Sequence, residues 1–453
     1  MDMLTRWTSI CLLVAMPSVA LSQMDKECIK GDTECLNKKL SEMQNKLIKL
    51  EDQLKHASPA AANKDTLKER VVKLEQNQKK SDKKISRSVT GLNNKFEKLQ
   101  DRVRFNGFLT AGVIKGTDDV AWGALEQTDL GDDFSFKTES VLGLQSSYKL
   151  SDAAEATIQL VSRGVKDFSV EADWVYVKYK LLDSLDLRVG RMRLPFYLFS
   201  ETMEVGFAYP WVTPPYEFYR TDFPNYEGMD LLYKFNTGNV SHLLQVLYGG
   251  FKDEFVDTGA LGGLNYTGSL GSWSLKATYI EGVAVIVPLE ALEASGAIPS
   301  ASGLVMFEDI GLQYDDGQWM AIAEWTAFDA NEGPIPTYES FYLTLGRQYN
   351  KWMPNISLIR YYTTEKNNDP SAPLAITGLP GNITPFEGNS AVILGVRYSL
   401  SSTVALKVEA YRAFDFTEAP DGTISNGIYT FGQSAAEDAG HLGFITIVLD
   451  AVF

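Results

Sequence analysis

The sequence predicts an all-β transmembrane barrel of about 16 antiparallel strands, preceded by an N-terminal α-helical coiled coil. Three observations predict it. Apolar and polar residues alternate with a period of two from Phe105 onward. Short turns alternate with long loops along the same stretch. A heptad seam of Leu, Met, Val, Ile and Phe runs ahead of it, from Leu36 to Val103.

Composition supports this reading. The 453 residues are 45% hydrophobic, with 21 Tyr, 23 Phe, 8 Trp and 36 Gly, the balance of a turn-rich, many-stranded chain. After residue 22 no apolar run reaches the ~18 residues that a transmembrane helix needs. Transmembrane strands are only about 10 residues long and alternate, so they average out of such a test. The net charge of −16 is uneven, about +7 over residues 23–104 and about −23 over residues 105–453. That asymmetry marks two domains. It also argues against a nucleic-acid partner, which the larger, acidic domain would repel.

Residues 1–22 read as a signal peptide. Arg6 gives a weakly positive start, Ile10–Met16 an apolar core, and Ala20-Leu-Ser22 a small-x-small cleavage site. Cys11 would leave with it. Cys28 and Cys35 remain and, in an oxidising compartment, are candidates for a local disulfide around Gly31-Asp32. Free thiols and bridges between stalks are the alternatives. Metal binding needs more ligands than this segment supplies.

Residues 23–104 read as a periplasmic stalk. Leu36, Leu40, Met43, Leu47, Leu50 and Leu54 form one stretch of seam. Pro59 interrupts it, because proline cannot continue a helix interior. Leu67, Val71 and Leu74 restart it, and polar Gln78 and Ser81 follow. Ile85, Val89, Leu92, Phe96, Leu99 and Val103 resume after a four-residue shift, a stutter that locally unwinds the supercoil. So narrow an apolar stripe calls for partner helices. It points to oligomerisation or a spacer, with a lone helix lying on the barrel as the alternative. A Lys-rich face touching cell-wall polymers is a third idea.

Residues 105–453 read as the barrel. Val175, Val177 and Tyr179 alternate with Trp174, Tyr176, Lys178 and Lys180; Val404, Leu406 and Val408 alternate with Ala405, Lys407 and Glu409. A persistently polar opposite face over many strands fits lipid outside and water inside. Turns near 151–152, 183–184, 237–239, 270–271, 316–317, 350–351 and 400–401 alternate with longer loops near 116–133, 200–227, 252–258, 286–303, 330–337, 367–388 and 417–438, and 167–169 would be one of the tighter outer loops. Ile445, Ile447, Leu449, Ala451 and Phe453 share one face of the last strand. A terminal aromatic there resembles the assembly signal of outer-membrane proteins.

Selectivity would lie where such a barrel narrows. The loop from Ser200 to Glu227 is bulky and proline-stiffened, with Tyr209, Trp211, Tyr216, Tyr219 and Arg220 as constriction candidates. It folds inward on this reading, or caps a subunit interface on the alternative one. Before it, Leu187 and Val189 facing lipid would turn Arg188 to the lumen. Arg191 and Arg193 have the opposite parity. A bulge at Gly190 would bring all three arginines inward and put Met192 and Leu194 outside. A charge facing lipid at the midplane costs about 2–4 kcal/mol, which favours the bulge. Arg163, Lys178 and Lys180 would extend the basic wall, and Arg397 would face them. These cations could draw anions through, or pair with loop carboxylates such as Glu201, Glu204 and Asp222 and hold the loop to the wall.

At Asp173–Lys180, Arg188–Pro195, Val205–Trp211 and Pro214-Pro215 the chain resembles trimeric outer-membrane porins of the DcaP-like kind. The resemblance implies a homotrimer of 16-stranded barrels, a constricting third loop, an N-terminal coiled coil and passage of small anions such as dicarboxylates. Pore-lining roles carry over to Arg188, Arg191, Arg193 and the Tyr209–Arg220 stretch. The expected partners are membrane lipid, lipopolysaccharide and small hydrophilic solutes, with no cofactor and no metal. The expected function is passive diffusion across a bacterial outer membrane. A tether joining that membrane to the cell wall through the stalk is the alternative. An enzyme is not expected: the three histidines, His56, His242 and His441, stand far apart in the chain, and Gly-x-Ser-x-Gly does not occur.

Overall fold

In the computed structural model, the described residues are 64–100, 102–117, 123–124, 128–129, 134–219, 225–252, 256–286, 302–331, 337–363, 388–415 and 441–453. Ser41, Asn45, Ile48, Lys49 and Asp52 are described singly as helical. The stretch read as a signal peptide, Cys28, Cys35, Asp222 and Arg220 lie outside the described residues.

The chain divides into two units, residues 1–101 and 102–453. In the first, helix α1 spans Lys64–Gln100. Leu74 and Val89, on its apolar stripe, are exposed. Val103, read as the last seam position, instead opens the first strand, two residues ahead of the expected Phe105 boundary.

The second unit is a closed barrel of 16 antiparallel strands. They are β1 (Val103–Gly116), β4 (Val141–Lys149), β5 (Ala154–Arg163), β6 (Val170–Leu182), β7 (Leu185–Arg193), β8 (Asn225–Thr237), β9 (Val240–Lys252), β10 (Val256–Leu270) and β11 (Trp273–Ile286). Next come β12 (Ser302–Asp315), β13 (Trp319–Asn331), β14 (Tyr338–Arg347), β15 (Trp352–Thr363), β16 (Gly388–Ser399), β17 (Val404–Phe414) and β18 (His441–Val452). Two short strands, β2 (Gly123–Ala124) and β3 (Thr128–Asp129), pair within the first long loop. Each barrel strand pairs with its chain neighbour, and β1 pairs with β18 to close the ring. Every turn placed by the sequence lies between paired strands at one end of the barrel, and the strand ends that the long loops join lie at the other.

Closure is tight at Gly107. Its N–H donates to the Phe453 carbonyl at 2.7 Å, and the Phe453 N–H donates back at 2.9 Å. A Cβ at Gly107 would lie 2.2 Å from Phe453 Cε2, so any side chain there must push the exposed Phe453 ring aside.

The outer face is the apolar face that the alternation predicts. Leu142, Leu144, Val175, Val177, Val189, Leu231, Ile310, Leu345, Leu358, Leu394, Ile445 and Ile447 are all exposed. Trp273, Trp319 and Trp352 stand about half exposed at the turn-end starts of β11, β13 and β15. Tyr248, Phe341, Tyr362 and Phe414 stand nearer the loop end. An apolar belt between aromatic girdles is what lipid selects, because an apolar surface this large would be costly in water.

The inner face departs from expectation. It is polar on β4 and β5, where Gln145 meets Gln159 and Ser147 meets Thr157 across strands. From β11 to β18 it also carries Ile280, Phe307, Ile322, Tyr342, Ile359, Ile393, Tyr411 and Phe444, all buried. No polar-inside rule predicts them. They are covered by the loop between β7 and β8 and form one apolar cluster with it.

Candidate functional site: the lumen and the inward loop

The loop that follows β7 folds into the barrel. Residues 194–219 carry too much aromatic surface to stand in water, and the inner wall offers the matching surface. Phe199 packs edge-on against Trp211 (5.6 Å between centroids), Trp211 against Tyr342 (5.5 Å), and Phe218 against Tyr342 (4.8 Å). Trp211, Phe218 and Tyr342 are each 0% exposed.

Polar anchors fix the loop strand by strand. On β11, Thr278 Oγ1 donates to the Pro195 carbonyl at 2.9 Å, and Lys276 donates to the Tyr197 carbonyl. On β13, Glu324 accepts from the Leu198 N–H at 2.5 Å and from the hydroxyls of Tyr219 (2.9 Å) and Tyr342 (2.6 Å). Trp211 Nε1–H donates to Ser357 Oγ on β15 at 2.8 Å and reaches Thr344 Oγ1 on β14 at 3.2 Å. Glu217 accepts from Asn389 on β16 at 2.8 Å and from the Tyr411 hydroxyl on β17. Glu409 accepts from the Val212 N–H at 3.0 Å, and Lys407 donates to the carbonyls of Gly206 and Trp211. Lys407 is itself ion-paired with Asp450 of β18 at 2.9 Å, both buried.

A second set of anchors lies near the loop's root. Arg163 binds Glu204 (2.7 Å), Asp173 (2.9 Å) and Glu171 (3.0 Å). Arg193 binds Asp173 and reaches Glu204 at 3.5 Å. Asp173 is the extra residue of a bulge in β6, between Gln159↔Trp174 and Leu160↔Ala172. That bulge turns its carboxylate into the lumen beside the two arginines. In this geometry Arg163 and Arg193 clamp the loop carboxylate, the second of the two roles that their sequence allows.

The three arginines of β7 do not share a face. No bulge forms at Gly190: Tyr176↔Gly190 and Val175↔Arg191 continue the register of Val177↔Val189 unbroken. Gly190 has φ 139°, and a Cβ there would lie 2.2 Å from the Val175 carbonyl oxygen, so glycine serves a close strand approach instead. Arg191 therefore points outward with Val175 and pairs with Glu227, which also faces out. A partner carboxylate is how an outward charge is accommodated there. Met192 and Leu194, expected outside, are buried.

Arg188 does face the lumen. Its Nε donates to Asp230 Oδ1 at 2.9 Å and its Nη2 to Oδ2 at 2.6 Å, while Nη1 lies 4.0 Å from Glu201. Gln245 and the Tyr226 hydroxyl complete the shell of Asp230. Lys178 faces inward and pairs with Glu155 at 3.2 Å. Lys180 pairs with Asp183 in the turn at 2.6 Å and is exposed at the rim. Arg397 faces inward, donates to the Tyr209 carbonyl at 3.2 Å and lies 4.4 Å over the Phe207 ring. No carboxylate within 4 Å neutralises it among the described residues.

The described aromatic candidates act as anchors, Tyr209 and Trp211 fully and Tyr216 and Tyr219 while half-buried. Tyr209 and Trp211 are buried, the Tyr209 hydroxyl bonding the Met203 carbonyl at 2.9 Å. Tyr216 donates to Glu139 at 2.6 Å and Tyr219 to Glu324. Burial pushes the Glu139 carboxyl up to about 7, only partly offset by the Tyr216 bond. The lumen side of the loop is instead Glu201, Thr202 and Ala208, which are exposed. The sequence reading did not assign the inner-wall holders Lys276, Glu324, Lys407 and Glu409. Their polar parity marks them as inward, but no local signal says what they hold.

No family model matches the sequence, and no curated protein matches it. Solved structures similar to this chain include an anion-selective porin from Comamonas acidovorans, at 14% identity and TM-score 0.50, covering 78% of this chain and 99% of that one. OmpF of Salmonella typhi in complex with daunomycin is similar at 11% identity and TM-score 0.50, covering 78% and 97%. The outer membrane channel DcaP of Acinetobacter baumannii, namesake of the group that the sequence resembles, is similar at 11% identity and TM-score 0.49, covering 78% and 97%. The fold is that of the porin-type outer-membrane β-barrel.

Proposed function

We propose that this protein is an outer-membrane porin through which small hydrophilic solutes diffuse, with a preference for small anions such as dicarboxylates. The observation that carries the reading is the inward loop. It is held to β11 and β13–β17 and presents Glu201, Thr202 and Ala208 to the remaining lumen, with Glu201 4.0 Å from the wall residue Arg188. A narrowed polar passage within a lipid-facing barrel discriminates solutes by size and charge. Anion preference is supported by the inward Arg397, which has no carboxylate within 4 Å among the described residues and donates only to the Tyr209 carbonyl. The reading extends to a homotrimer whose periplasmic stalks pack seam to seam, with lipopolysaccharide against the outer rim.

Planar-bilayer recordings of the full chain in a salt gradient test it. Discrete conductance steps with an anion-selective reversal potential are expected. Cation selectivity would overturn the preference, and an absence of steps would overturn the pore.

A further inference from the structure

Helix α1 carries a second patterned face. Lys79, Lys80, Lys83, Lys84 and Arg87 follow one another at spacings of one, three, one and three. At ~100° per residue they fall within an arc of about 140° and extend about 12 Å along the axis. The seam positions Leu74, Gln78, Ser81, Ile85 and Val89 centre on the opposite side, roughly 170° away. The nearby carboxylates, Glu75 and Asp82, fall outside the basic arc. All five cations are exposed, and no ion pair holds any of them among the described residues. Like charges packed this closely repel one another, so the stripe adds nothing to the helix by itself.

We propose that this stripe is a docking surface for a carboxylate-bearing polymer mesh, the peptidoglycan of the periplasm. The inference rests on the outer-membrane reading, which puts the stalk in that compartment. Charge complementarity selects an anionic partner, and geometry selects a mesh. When stalk helices pack along their seams, each basic stripe faces away from the bundle axis. Stripes radiating in several directions are met together by a network that surrounds the stalk. A flat bilayer meets only one of them.

The test uses the full chain in detergent and purified sacculi stripped of protein. Co-sedimentation is expected in dilute buffer and is lost in about 1 M salt, where the screening length falls to about 3 Å. Replacing the five cations together (Lys79→Gln, Lys80→Gln, Lys83→Gln, Lys84→Gln, Arg87→Gln) weakens retention at least about tenfold, equivalent to roughly 1.4 kcal/mol. Glutamine is a good helix former, so the helix persists. Sacculi whose carboxylates have been amidated lose the unaltered protein to the same degree, a result that does not depend on the variant folding. Retention unchanged by the substitutions or by amidation, or equal binding to anionic phosphatidylglycerol vesicles, would overturn the proposal. Bilayer conductance is unchanged in the five-fold variant. Loss of pore activity by the unaltered protein would instead strike the porin reading.

Discussion

Trp211, in the inward loop, and Ser357, on β15, are joined by an indole N–H···O bond of 2.8 Å, with the indole fully buried. Replacing Trp211 by alanine removes both this bond and the packing on Phe199 and Tyr342. A buried tryptophan truncated to alanine costs about 3–5 kcal/mol. The variant should unfold at a lower temperature in detergent and show a larger, noisier conductance as the loop leaves the wall. A conductance identical to that of the unaltered protein would show that the loop does not limit flow.

Charge selectivity should follow the direction in which each arginine points. Arg397→Gln removes an inward charge without stranding a buried carboxylate and should shift the reversal potential toward cation preference. Arg191→Gln, on the outer face, should leave it unchanged. Arg188 is the poorer probe, because its removal leaves buried Asp230 without its ion pair, a loss of about 3–5 kcal/mol. Reversal potentials of the two single variants, recorded side by side, decide the matter.

One end of the β1–β18 seam is packed at Gly107, where the Phe453 ring lies over the glycine. Gly107→Val places methyl groups where the Phe453 ring lies and should reduce the heat-modifiable folded fraction on a gel. Adding Phe453→Ala to Gly107→Val should recover part of that fraction. A double variant as defective as the sum of the two singles would mean that the two side chains do not meet.

The Glu139 carboxyl makes one loop anchor depend on pH. It faces Tyr216 on the loop, with Asp450 of β18 and Glu409 of β17 nearby, and burial raises it from 4.5 to about 7. The folded state therefore favours the proton. Its contribution is fully present below about 4.5 and declines as pH climbs toward 7. Above that, the buried charge costs roughly 3 kcal/mol at 1.36 kcal/mol per unit. Thermal unfolding in detergent should fall in midpoint between pH 5 and pH 8 (order-of-magnitude range). Glu139→Gln should flatten that dependence, and an unaltered slope in this variant would remove Glu139 from the account.

Much of the barrel was legible because lipid acts on each strand separately. Val175, Val177 and Tyr179 need only their immediate environment to be outward, and the turn at Thr237–Asn239 needs only its own residues. The inward loop was legible in outline, since its aromatics and prolines demand burial, but its seating was not. Lys407 meets Gly206 and Trp211 across about 200 residues of chain, and no local pattern encodes that meeting. The same blindness made Tyr209 and Trp211 look like lining when they are anchors. Arg191 was misplaced for a different reason. A glycine between arginines suggested a bulge, and the ion pair with Glu227 that makes an outward arginine tolerable lies 36 positions away.

A hydrogen-bonded cylinder of strands resists stretching around its girth but yields easily to squashing into an oval. The segment wedged between β7 and the wall from β11 to β17 works as an internal strut against that deformation. The width of the opening is then governed by the length of the strut, so that shortening or lengthening the segment would resize the pore while the number of staves stays the same.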